Sequence, residues 1–176
     1  MNEYYYMSKE KLKNEEEIWP FQYGKNNADL LNLCDSFLLS NNLSLLEATY
    51  RDLNKILPSA LIETIFENIR KKEFETKPHR LKSVHLFIKY VDVFNFRLRY
   101  RQDKGYIYKA KIVNGIQFEG DMELVTPGIG PKSFQEELEL LMQRAHDYWT
   151  GRKTAHPIVE KLVEGRVITA ELINSA

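Results

Sequence analysis

The sequence predicts an α+β fold. Apolar residues recur at spacings of three and four through residues 29–72 and again after Ser133, which is the period of amphipathic helices. Residues 106–113 are rich in tyrosine and isoleucine, and they and shorter apolar or aromatic runs near both ends have the composition of strands. With 176 residues and no internal repeat, low-complexity tract or linker, the chain reads as a single domain spanning residues 1–176. A domain of this size buries roughly two-thirds of the surface its unfolded chain exposes.

The first strand falls at residues 3–7, where three consecutive tyrosines favour extended backbone. A charged connection follows. Residues 18–24 combine Pro20 and Gly24, which oppose regular structure, with Ile18, Trp19, Phe21 and Tyr23, which argue for burial. Two or three helices then bury Leu30, Leu31, Cys34, Phe37 and Leu38, next Leu46, Tyr50, Leu53 and Leu57, and finally Leu61, Ile62, Ile65, Phe66 and Ile69. Pro58 suits the first turn of the last of these, and Arg70, Lys71 and Lys72 suit the negative end of its dipole.

Residues 79–90 read as a strand with Leu81, Ser83, His85 and Phe87 on one side. The next segment is ambiguous: Phe94, Phe96, Leu98 and Tyr100 alternate with polar residues like a strand, while Asp92 is placed to cap a helix. Residues 106–113 form a more regular strand, closed by Asn114-Gly115, the dipeptide that hairpin turns favour. Residues 116–125 are expected to pair back on it. After a loop at 126–132, Ser133 and Glu136 spell a capping box. It opens a helix that buries Phe134, Leu138, Leu141, Met142, Ala145 and Trp149 and stops at Gly151. Two last strands are broken by Gly165.

Composition narrows the functions open to the chain. Lys and Arg together number 25, as do Asp and Glu, so the net charge of +0 gives no field that would steer nucleic acid. The one cysteine excludes an internal disulfide, and four histidines without ligand spacing leave no metal site predicted. The N-terminus lacks the basic-then-apolar profile of a secretory signal. No apolar run nears the ~20 residues of a membrane span, so no membrane partner and a cytoplasmic location are expected. Phosphate-loop, Rossmann, zincin and nucleophile-elbow signatures are absent.

The order of pieces carries a further expectation. An aromatic first strand is followed by an aromatic loop ending Tyr23-Gly24, by helices, and by Arg80-Leu-Lys-Ser83-Val-His85-Leu-Phe87. Then come Tyr106-Ile-Tyr-Lys-Ala-Lys-Ile112, a helix ending Tyr148-Trp-Thr-Gly151, and Glu160-Lys-Leu-Val-Glu-Gly165. From Tyr4 to Ile173 this resembles a bacterial family of unknown function with an ADP-ribosyltransferase-like fold. The Glu160 segment is similar to the Glu-x-Leu-Val-x-Gly strand of ADP-ribosyltransferase toxins that modify DNA. The resemblance implies two small, mostly antiparallel sheets around a cleft, with a helical insertion after the first strand. It also implies NAD⁺ as a substrate in that cleft and a helix over residues 92–102.

Three motifs contact NAD⁺ in such proteins. The first-strand position, an Arg or His in the superfamily, corresponds here to Tyr6, a departure from the pattern. The second corresponds to Ser83, and the third, a carboxylate on a late strand, to Glu160. Cleavage of the nicotinamide–ribose bond develops positive charge on the sugar, which a fixed carboxylate stabilises. Glu160 is thus the implied catalytic residue. Arg80 is suited to the pyrophosphate through its forked donors, and Tyr5, Tyr6 and Tyr23 to an aromatic wall against the nicotinamide. The activity implied is transfer of ADP-ribose to an unknown macromolecular acceptor. The alternative, raised by Tyr6, is an inactive domain of the same fold acting as a protein-interaction module. On spacing alone, Glu160 reads as an exposed position of an alternating strand, Ser83 as a hydroxyl bonded to a nearby carbonyl, and the tyrosines as core.

Overall fold

A computed structural model describes residues 3–19, 60–126 and 133–175. The expected helices at 29–57, Cys34, Tyr23 and the loop at 127–132 lie outside the described residues. Among the described residues are seven strands and three α-helices: β1 (Tyr4–Ser8), β2 (Glu17–Ile18), α1 (Ala60–Glu73), β3 (Val84–Phe87), α2 (Tyr90–Arg101), β4 (Tyr106–Ile112), β5 (Ile116–Asp121), α3 (Phe134–Trp149), β6 (Val159–Glu164) and β7 (Val167–Ser175). The α+β class stands. In place of two small sheets, the strands form one antiparallel sheet in the order β2-β7-β4-β1-β3-β6-β5.

The topology departs from a simple hairpin series at two corners. Asn114-Gly115 does not return β5 onto β4; β4 pairs with β1 and β7, whereas β5 lies at the far edge against β6. Strands β6 and β7 divide at Gly165 in the same way. The two corners meet back to back: Arg166 N donates to Asn114 O at 3.1 Å, and Val113 N donates to Arg166 O at 2.9 Å. Close approach decides the residue type there, because a Cβ on Gly165 would collide with the Asn114 carbonyl and the Gly115 Cα.

Alternation along the strands gives the sheet two apolar faces. On one, Leu162 and Phe118 pack with Leu61, Ile62, Ile65, Phe66 and Ile69 of α1 and with Leu141, Ala145, Tyr148 and Trp149 of α3. The indole Nε1 of Trp149 donates to Phe66 O at 2.8 Å, tying the two helices. Farther along the same face, α2 covers Phe87 and Ile107 with Val93, Phe94 and Phe96. The other face carries Ile18, Val84, Leu86, Ala110, Val163 and Val167.

Several local expectations change. Residues 90–101 are helical despite their alternation, because both sides of the pattern are used: Val93 is buried against the sheet while Leu98 and Tyr100 face solvent. The capping box at Ser133 and Glu136 opens α3, but Met142 is exposed and Tyr148 takes its place in the core. Ile18 is buried as expected; its neighbour Trp19 is exposed. The strand expected at 79–90 shrinks to Val84–Phe87, since Arg80–Lys82 form a 3-10 turn capped by the His79 side chain.

The glycine corner yields the first prediction. Gly165→Ala lowers the stability of the folded chain by about 2–3 kcal/mol, because backbone atoms must give way to its methyl group. Urea unfolding of the two proteins measures it, and equal midpoints would show the corners to be separable.

Candidate functional site

Strand β6 sends Glu160 and Leu162 to the helix-covered face of the sheet, where Glu160 sits between Phe87 of β3 and Gly120 of β5. Gly120 has no side chain to fill its place in that row. The Tyr148 ring of α3 occupies the space, so closely that any Cβ on Gly120 would overlap it. The Tyr148 hydroxyl thereby reaches Glu160 Oε1 and donates to it at 2.8 Å.

Arg80 enters from the 3-10 turn before β3 and is buried. Its Nη1 donates to the Tyr148 hydroxyl oxygen at 2.6 Å and also to Glu160 Oε1. Its Nε donates to Glu63 Oε2 at 3.1 Å, and its Nη2 to Glu63 Oε1 at 3.3 Å. The guanidinium lies over the Tyr148 ring, 5.0 Å from its centroid, and faces Phe66 at 5.9 Å. His85 completes the group, with Nδ1 2.8 Å from Glu160 Oε2 and Nε2 2.9 Å from Arg80 O. Both ring nitrogens face oxygen atoms that can accept a hydrogen bond.

Burial matters most for Glu160, which is 1% exposed, whereas the His85 side chain retains 27% exposure. Burial pushes the Glu160 carboxyl up, but the charges of Arg80 and His85 outweigh it and hold the group well below the usual carboxylate range. Burial also pushes the Tyr148 phenol far up, and the neighbouring Glu160 charge adds to that. The arrangement is a buried polar network that reaches the surface at His85.

Two of the residues singled out in the sequence meet here, Arg80 and Glu160. Glu160 is buried, contrary to its exposed reading, because the inward side of β6 faces α3. Tyr6 does not join them: it packs on the opposite face of the sheet with Val84 and Leu86, where burial raises its phenol. The Ser83 hydroxyl donates to His79 O at 2.8 Å, the local bond that its residue type suggests. Tyr23 lies outside the described residues. Sequence reasoning missed Glu63, His85, Gly120 and Tyr148. The available signal was Glu63 itself, a carboxylate among Leu61, Ile62, Ile65 and Phe66, where an unpaired charge is not tolerated.

A second buried group flanks the first. Arg70 holds Glu67 through two bonds, Nε to Oε2 at 2.8 Å and Nη2 to Oε1 at 2.7 Å. It also donates to the carbonyls of Glu75 and Lys77. Arg70 is thus not the exposed dipole partner its place in the sequence suggests. His79 lies beside this pair, its Nδ1 accepting from Leu81 N at 3.1 Å. Among the described residues, no group of three or more His, Cys, Asp or Glu could hold a metal ion, and no helix is long and apolar enough to cross a membrane.

Residues 2–175 match a family described as a protein of unknown function, DUF2441. The chain belongs to this family. No curated protein matches it. The family's description carries no activity, so what this member does has to be argued from the network.

Two predictions follow from these geometries. Tyr148→Phe removes the hydroxyl shared by Arg80 and Glu160 and lowers stability by about 2 kcal/mol, whereas Gly120→Ala costs more because it displaces the whole ring; thermal denaturation ranks the two. Burial, helped by the charges of Arg70 and Lys82, pushes the His79 imidazole down from 6.5 to about 4. The unfolded chain then binds more protons than the folded one, so stability present above pH 6.5 is lost as pH falls toward 4. The loss is about 3 kcal/mol. In His79→Asn, whose amide oxygen can still accept from Leu81 N, that part of the slope is expected to disappear from urea midpoints measured across this range.

Proposed function

We propose that this protein is a domain of the ADP-ribosyltransferase-like kind whose Glu160 holds the fold together and takes no part in a reaction, and that it acts by binding a macromolecular partner. The observation that carries this reading is the state of Glu160. Both carboxylate oxygens are engaged by Arg80, Tyr148 and His85, and the residue is 1% exposed. A carboxylate that stabilises charge on a ribose must touch that ribose. Arg80, the expected pyrophosphate ligand, is likewise committed to Glu63, Glu160 and Tyr148. Tyr6 is on the wrong face of the sheet to share a ligand with either. The described residues therefore do not fit NAD⁺ as they are arranged.

One observation favours the second reading, an NAD⁺-dependent transferase with Glu160 as its catalytic carboxylate. The strands bearing Tyr6, Ser83 and Glu160, or leading directly from them, are β1, β3 and β6, which lie side by side in the sheet. That reading requires Arg80 and Tyr148 to leave Glu160 before any substrate could reach it.

NAD⁺ titration of the wild type and of Glu160→Gln separates the two, followed by tryptophan and tyrosine fluorescence with thermal melting in parallel. The binding-domain reading expects no saturable response up to about 5 mM NAD⁺. It also expects a loss of about 3 kcal/mol in Glu160→Gln, where Arg80 is left without its charged partner. Saturable binding and NAD⁺ turnover in the wild type, lost in a Glu160→Gln protein that melts normally, would overturn it.

A further inference from the structure

Asparagine is chemically labile, most of all before a glycine, where no side chain hinders attack by the next backbone nitrogen on its side-chain carbonyl. Asn114-Gly115 is the only such pair in the sequence, and it stands exposed at the corner where the chain leaves β4. The corner leaves the reacting atoms available. No hydrogen bond ties the Asn114 Nδ2 or the Gly115 N to another described residue. Arg166 N donates to Asn114 Oδ1 at 3.2 Å as well as to Asn114 O at 3.1 Å. The bond to Oδ1 draws electron density from Cγ, the atom to be attacked.

We propose that Asn114 is a modification site, which loses its side-chain amide in the folded protein with water as the co-reactant. The Gly115 N gives its proton to solvent and bonds to Asn114 Cγ, and the Cγ–Nδ2 bond breaks, so that the side-chain nitrogen leaves as ammonia. Water then opens the five-membered imide at either carbonyl. One opening leaves an aspartyl residue at position 114; the other leaves an isoaspartyl linkage, in which the main chain runs through Cγ. One water is consumed, one ammonia is released, and nothing is oxidised or reduced.

The two products differ in their effect on the fold. The aspartyl form keeps the backbone path and still offers a carboxylate oxygen to Arg166 N. The isoaspartyl form lengthens the backbone by one carbon where there is no space for it: a Cβ on Gly115 would already lie 2.6 Å from both Glu164 O and Gly165 Cα. The longer chain displaces Gly115 from Gly165 and pulls residue 114 away from Arg166, so the age of the protein is felt where the two halves of the sheet cross. The corner lies outside the Glu160 network, and the proposal is independent of the reading of Glu160.

The test is to hold the full chain at mildly alkaline pH, well below its melting temperature, and to follow it over weeks by peptide mass mapping and thermal melting. The peptide carrying Asn114 is expected to gain the mass of amide-to-acid conversion severalfold faster than those carrying Asn95 and Asn174, and to split into aspartyl and isoaspartyl forms. The isoaspartyl fraction is expected to melt about 5 °C below fresh protein. Asn114→Asp, which has the charge without the longer backbone, is expected to melt close to wild type when fresh. Asn114→Gln, whose side chain closes an imide far more slowly, is expected to hold its melting temperature throughout. Conversion at Asn114 no faster than at Asn95 and Asn174, or an isoaspartyl fraction that melts like fresh protein, would overturn the proposal. So would a wild type whose melting temperature falls no faster than that of Asn114→Gln.

Discussion

Arg80 is the residue on which the interior depends. Its guanidinium makes four hydrogen bonds to groups from three places in the chain: Glu63 on α1, Tyr148 on α3 and Glu160 on β6. Helix α1 and strand β6 would otherwise each bury an unpaired carboxylate, which costs several kcal/mol per ion in a low-dielectric interior. The apolar contacts between α1, α3 and the sheet are non-directional and tolerate small slips. A guanidinium shared between two carboxylates and a phenol does not. Register between the helices and the sheet is thus set by the polar network, with the surrounding leucines and isoleucines supplying most of the driving force. The same network explains Gly120, since any larger residue would move the phenol that completes it.

The double crossing of the chain makes this possible. Because β4 and β5 separate at Gly115, and β6 and β7 at Gly165, β6 is placed between β3 and β5. Had each pair closed as an ordinary hairpin, β6 would lie against β7. Glu160 would then lose at least one of its neighbours Phe87 and Gly120. Two glycines that pack corner to corner thus determine which strand sits opposite the 3-10 turn carrying Arg80. The hydrogen bonds between Asn114 and Arg166 fix the corners at the point where the chain passes from one half of the sheet to the other.

Elements with a local cause were legible in the sequence. The tyrosine strand, the capping box at Ser133, the strand at 106–113 and the last helical turns before Gly151 follow from propensity, capping and periodicity. Helix α2 did not follow from its pattern: alternation spoke for a strand, and the helical reading came from the resemblance. The corner at Asn114-Gly115 was misread because a turn dipeptide fixes the reversal of the chain without naming the strand that receives it. At the site, Arg80 and Glu160 were singled out and do meet. Their partners were not, because His85, Tyr148 and Glu63 come from three separate segments and none has a spacing that marks it. Position on a strand also misled: alternation gives two faces to a strand without saying which is buried, and Glu160 occupies the inward one.

The network bears on whether Glu160 is free to take part in chemistry. A carboxylate poised for reaction has to remain partly solvated or hold an open lone pair, and that readiness is destabilising until a ligand arrives. Here the same position is filled by donors on every side. Arg80 neutralises the charge, Tyr148 adds a phenolic bond, and His85 closes the remaining oxygen while reaching the surface itself. Such an arrangement turns a costly buried charge into a rigid junction between α1, α3 and β6.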